Sequence, residues 1–179
     1  MTNIESKNPM DDAKAEMGNP QERSLAWLAG IVDGEGSITT QAWIMKDGNL
    51  RLTPFVSIGN TDEAIVLECK RILDSLGIKN RWQKIESENK WIGRVDGEKA
   101  VLAIIDALYD YLISYKKHNC DVIRKYIEMR HAMRFKHDGL GRITRQPYTK
   151  DQIQLVSSIR TSRNAKSSET LCRAANVVG

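Results

Sequence analysis

The stretch from Leu25 to Gly36 constrains this chain most, because it is apolar or small on almost every side and ends in Gly34-Glu35-Gly36. Asn19 before Pro20 is a good start signal, an N-cap with proline at the first helical position, and the helix it opens is expected to run to about Asp33. Leu25, Leu28, Ala29 and Val32 recur at helical spacing and predict a core stripe. Ala26, Trp27, Gly30 and Ile31 are apolar as well, so the helix has almost no solvent side and is expected to be buried on more than one face. Gly30 costs about 1 kcal/mol in a helix interior, a cost that makes sense where a second helix approaches the backbone closely. Gly34 and Gly36 permit a sharp exit and leave Glu35 at the C-terminal end. The helix dipole disfavours a carboxylate there, which favours a cation-holding role over a structural one.

After Gly36 the period changes to two. Ile38, Thr40, Ala42 and Ile44 share one face, and a turn at Lys46 to Asn49 leads into a return strand with Leu50, Leu52, Pro54, Val56 and Ile58 on its apolar side. Thr61 or Asp62 caps a helix ending near Leu76, with Ile65, Cys69, Ile72 and Leu76 toward the core and Gly77 as its stop. A second hairpin is read at about Lys79 to Ile85 and Lys90 to Val95, followed by a helix from Gly97 to about Leu112 capped by Asp96. A long helix covers roughly Lys117 to Met133, Thr149 with Gln152 makes a capping box for a shorter one, and a last helix begins at Ser167 or Ser168. The order helix, hairpin, helix, hairpin, helices predicts an α+β chain.

With 179 residues, 41% of them apolar and 28% charged, the chain fits one domain with a real core. Residues 1–18 are read as a flexible leader and 19–179 as a single domain, its core at about 24–135 and a basic helical region at about 136–179. From Arg130 onward ten Lys or Arg stand against three acids, so this end is a basic surface of the kind that meets nucleic acid. No apolar run reaches membrane-spanning length, and the first residues lack the apolar stretch of a signal peptide, so an intracellular, non-secreted protein with no membrane partner is expected. Cys69, Cys120 and Cys172 form no CxxC pair, and His118, His131 and His137 have no ligand spacing.

Leu28-Ala29-Gly30-Ile31-Val32-Asp33-Gly34-Glu35-Gly36, continued by Ser37-Ile38, resembles the signature of the LAGLIDADG homing endonucleases. The resemblance implies the αββαββα fold of that family, with a saddle-shaped antiparallel four-stranded sheet and extra C-terminal helices. A single signature copy, as here, implies a homodimer in which two signature helices pack about a two-fold axis through Ala26, Trp27, Gly30, Ile31, Asp33 and Gly34. The two Glu35 side chains then lie close together, and divalent cations, Mg2+ or another such as Mn2+, offset their repulsion, with Glu35 and Gly34 as ligands.

The activity implied is metal-dependent cleavage of both strands of double-stranded DNA at a long pseudo-palindromic target. Asn60 and Lys116 match polar and lysine positions that order water near the scissile phosphates, so Glu35, Asn60 and Lys116 are the candidate catalytic residues. A basic residue that some members carry early in the following helix has no counterpart, since Glu63, Ala64 and Ile65 occupy that region.

Base recognition is assigned to the open sheet face, whose first hairpin carries Ser37, Thr39, Gln41, Trp43, Arg51, Thr53, Phe55 and Ser57. The second hairpin adds Arg81, Gln83, Lys90 and Arg94. Trp43 and Phe55 are expected to pack on thymine methyl groups or on each other. Arg142, Arg145, Arg160, Arg163 and Lys166 are the expected phosphate contacts. Two alternatives share the scaffold: a maturase that binds intron RNA, and a DNA-binding protein without cleavage.

Overall fold

The computed structural model describes residues 19–46, 49–133, 136–137, 143–144 and 147–159. The helix α1 (Pro20–Glu35) leads directly into β1 (Gly36–Ile44), which turns back as β2 (Leu50–Asn60). After α2 (Glu63–Ser75) come β3 (Arg81–Ile85), β4 (Lys90–Asp96) and α3 (Glu98–Leu108). The 3-10 turn Tyr109–Tyr111 then precedes α4 (Lys116–Ala132), the short ribbon of β5 (Lys136–His137) and β6 (Ile143–Thr144), and α5 (Lys150–Ser157). The αββαββα order with additional C-terminal helical structure is the one expected. The strands of the main sheet run antiparallel in the order β1-β2-β4-β3.

One face of that sheet is covered. Ile38, Leu52, Val56, Ile58 and Val95 are buried against Leu28, Ala29 and Val32 of α1, Cys69, Ile72 and Leu73 of α2, and Ile104, Ile105 and Leu108 of α3. The period-two reading of the hairpin therefore holds, except that Ile44 is exposed where β1 runs beyond the covering helices. The inner strand β2 pairs with β4 only from Phe55 to Asn60. Beyond that the Tyr148 hydroxyl accepts from the Leu52 N–H at 3.1 Å and the Tyr126 hydroxyl donates to the Leu52 carbonyl at 3.2 Å. These aromatic hydroxyls from the C-terminal part satisfy a strand edge that the shorter β4 leaves open.

The capping signals were mostly legible. The Asn19 side chain accepts from Gln21 N, Asp62 accepts from Ala64 N, and Thr149 with Gln152 forms the reciprocal box. Four readings need correction. The helix α1 runs to Glu35 rather than Asp33, because Gly34 continues the helical backbone. In α2 the core face is Val66, Cys69, Ile72 and Leu73, with Ile65 and Leu76 only half buried, since the helix packs against α1, β2 and β4 together. The expected helix from Gly97 to Leu112 ends at Leu108 and tightens into the 3-10 turn. Finally, Asp96 does not cap α3; its carboxylate is held by Arg94 and Arg81, and Gly97, at φ 88°, makes the turn without a side-chain cap.

Cys69 and Cys120 are free and buried, and burial pushes their thiols up to about 11 and about 12 respectively, so both stay protonated and act as core side chains. The expected leader, the centre of the Lys46–Asn49 turn, Cys172, and the helix beginning at Ser167 or Ser168 lie outside the described residues.

Candidate active site and nucleic-acid interface

At the C-terminal end of α1, Glu35 is exposed and the chain passes straight into β1. The junction requires glycine at position 36: a Cβ there would come within 2.7 Å of the Val32 carbonyl oxygen and 2.8 Å of Val32 Cα, both backbone atoms that cannot yield. Its φ of −91° is ordinary, so the reason is space and not an unusual dihedral. Gly34, by contrast, has nothing within 4 Å of an added Cβ, so nothing inside this chain requires its small size.

The last carbonyls of α1 are satisfied by Lys116, which is 3% exposed and donates from Nζ to Val32 O and Asp33 O, both at 2.6 Å. A buried ammonium at a helix C-terminus offsets the dipole and fills orphan acceptors. Burial pulls the Lys116 ammonium below its ordinary value, while the carboxylates of Asp33 and Glu35 pull it back. Asp33 faces the same loop: its carboxylate accepts from Ile113 N at 2.8 Å and from the Ser114 hydroxyl. The loop before α4 is thereby clamped to the end of α1. Replacing Lys116 by Met is expected to leave the buried Val32 carbonyl and the half-buried Asp33 carbonyl without this donor and cost about 3 kcal/mol, a fall in Tm of about 6–12 °C; calorimetry on the two proteins checks this.

Asn60 closes β2, where its Oδ1 accepts from Asp62 N at 2.8 Å and so sets up the turn into α2. The register pairs Gly36 with Ile58, which puts Asn60 at the same end of the sheet as Glu35. Asn60→Ala is expected to lose about 1 kcal/mol of stability through this turn bond, which thermal unfolding of the two proteins checks.

The uncovered face of the sheet carries the proposed recognition side chains. The register sets Ser37, Ser57, Arg94 and Arg81 in one row across it, Thr39, Phe55 and Asp96 in the next, then Gln41 with Thr53 and Trp43 with Arg51. Gln83 and Lys90 share this face on β3 and β4. Phe55 does not stay open: the Arg94 guanidinium lies 3.7 Å over its ring. Trp43, 44% exposed, lines an open concavity with Arg51, Thr53, Arg81 and Arg94. Sequence reasoning missed Asp96 as the partner of both arginines; its place two residues after Arg94 on one strand face was the available signal. Arg142, Arg145, Arg160, Arg163 and Lys166 lie outside the described residues.

A third surface lies along α1. Ala26, Gly30 and Gly34 are exposed, Trp27 is 38% exposed, and an added Cβ at Gly30 would meet nothing within 4 Å. Ile31 is half buried. Among the described residues, no group of three or more His, Cys, Asp or Glu is placed to hold a metal, and no helix is long and apolar enough to cross a membrane.

A helix ending in an exposed carboxylate above an antiparallel sheet with one open polar face defines a LAGLIDADG-type unit. The model of the LAGLIDADG-like domain matches residues 22–118, and the chain belongs to that family. It is similar to an uncharacterized protein of Methanocaldococcus jannaschii, 36% identical over 63 residues, which is 35% of this chain and 22% of that relative. The chain thus spans about a fifth of this relative's length. The homing endonuclease I-CvuI, solved with a DNA target and magnesium, has the same fold at a TM-score of 0.63 and 16% identity, over 88% of this chain and 96% of that one. The LAGLIDADG meganuclease I-CpaMI, bound to uncleaved DNA, aligns at a TM-score of 0.59 and 19% identity, over 86% of this chain but 49% of its own.

Proposed function

We propose that the protein is a site-specific endonuclease that cuts both strands of a long, nearly palindromic DNA target as a homodimer and needs a divalent cation to do so. The observation that carries this reading is the pairing, on one helix, of an exposed carboxylate with an uncovered face of small residues. Ala26, Gly30 and Gly34 allow a second α1 to approach closely, and the approach would draw two Glu35 carboxylates together. That this chain matches only half of the longer I-CpaMI chain also supports a unit that works in pairs.

Each chain supplies few metal ligands, Glu35 and the Gly34 carbonyl, so the donor set suits a hard cation such as Mg2+ or Mn2+ that takes its other ligands from water, phosphate and the second copy. A cation held there would neutralise charge on the scissile phosphate and lower the pKa of a water. The chain's own residues do the rest. Lys116, through the Val32 and Asp33 carbonyls, fixes where the helix ends and so where Glu35 stands. Asn60 presents a polar side chain at the same sheet end. The open face lies in the major groove, where a two-stranded ribbon fits and alternate side chains meet base edges.

A cleavage selection on a randomised duplex library, with magnesium and with chelator, tests the reading. Magnesium-dependent double-strand cuts at one long, roughly symmetric site are expected; binding without any cutting would shift the function to a DNA-binding protein or a maturase.

A further inference from the structure

We propose that Arg94 reads a guanine in the DNA target and that Asp96 and Phe55 are the residues that position it; this rests on the DNA reading given above. Arg94 stands on β4, an inner strand, with Ser57 opposite on one side and Arg81 on the other. Its guanidinium carbon lies 3.7 Å over the Phe55 ring. Nε donates to Asp96 Oδ1 at 2.6 Å, and Nη2 donates to Gln41 Oε1 at 2.9 Å. Asp96 spends its other oxygen on Arg81 Nη2 at 2.9 Å. The plane and rotation of the Arg94 fork are therefore set before any ligand arrives, which lowers the entropy lost on binding.

These two bonds engage Nε and Nη2. Nη1 carries no hydrogen bond among the described residues and Nη2 has a second hydrogen, so the Nη1–Nη2 edge keeps donors for a ligand. In the major groove, guanine is the base that presents two neighbouring acceptors, N7 and O6, to such an edge.

Phosphates are the competing acceptors, and two observations set them aside. Phosphates line the rims of the groove while base edges form its floor, and an inner strand of an inserted sheet faces the floor. Arg94 is also held down, its side chain 22% exposed, beside an Asp carboxylate that repels phosphate; Arg81, on the edge strand and 70% exposed, is the better phosphate ligand of the two.

A binding selection on a randomised duplex library without divalent metal, so that cutting plays no part, tests this with the wild type, Arg94→Lys and Asp96→Asn. The wild type is expected to enrich a guanine at one position in each half of its site. Arg94→Lys keeps the charge but loses the fork, and should lower the preference for guanine there by about tenfold to a hundredfold. Asp96→Asn should relax the same position and no other. Thermal midpoints of both variants near that of the wild type would show that the fold is intact. A site enriched without any position that responds to Arg94→Lys overturns the inference and leaves the DNA reading standing. Uniform weakening at all positions with a shallower salt dependence would mark a phosphate contact and overturn it equally. No enriched sequence from the wild type would overturn both.

Discussion

Glu35→Gln is expected to reduce double-strand cleavage by about a thousandfold or more while leaving target binding within a few-fold of the wild type. The side chain is exposed at the very end of α1, outside the core, so the amide is expected to leave the fold in place, with the lost charge felt within the chain at Lys116. The amide keeps the shape and removes the charge, and the loss of a cation's several kcal/mol of charge stabilisation at the phosphate sets the scale. Plasmid cleavage in magnesium and gel-shift titration in calcium, run side by side, separate the two effects. If the variant still cuts at a comparable rate, Glu35 does not hold the metal and the reading fails at its centre.

The second large effect is expected from Gly30→Glu. Within one chain the substitution is harmless: Gly30 is exposed, an added Cβ meets nothing within 4 Å, and glutamate is the better helix former by roughly 0.5 kcal/mol or more. Between two chains it puts a bulky charge where helix backbones would touch, and two like charges near the axis. The variant is expected to be monomeric in sedimentation at micromolar concentration, with an unchanged or slightly raised thermal midpoint for the chain itself, and to lose double-strand cutting. A variant that remains a dimer and cuts would exclude α1 as the interface.

Much of the fold was legible in the sequence because its signals are local. The period of two after Gly36, broken only at Ile44, the N-cap at Asn19, the cap read at Thr61 or Asp62 and formed by Asp62, and the Thr149–Gln152 box are all written in neighbouring residues. What was misread depended on how side chains and elements meet in the folded chain. Asp96 sits at a position where a cap is expected, but Arg94 on its own strand and Arg81 on the neighbouring β3 each offer it an ion pair, and they win. The core face of α2 depends on how that helix seats against α1 and the sheet, and the 3.6 period alone leaves it ambiguous. Phe55 carries no mark that an arginine from β4 will cover it.

The sequence by itself determined the α+β order and the placing of a carboxylate between two glycines at the end of an apolar helix, since these follow from period and spacing over short stretches, and the resemblance of Leu28–Gly36 to a known signature pointed to the family. Only the tertiary structure decided what surrounds that carboxylate. Lys116 reaches back over eighty residues to the carbonyls of Val32 and Asp33, and Asp33 holds the Ile113–Ser114 loop, because only the folded chain brings the start of α4 to the end of α1. The same holds for the open face: alternation named the side chains on it, but the register between strands arranged them into rows and gave Arg94 its partners.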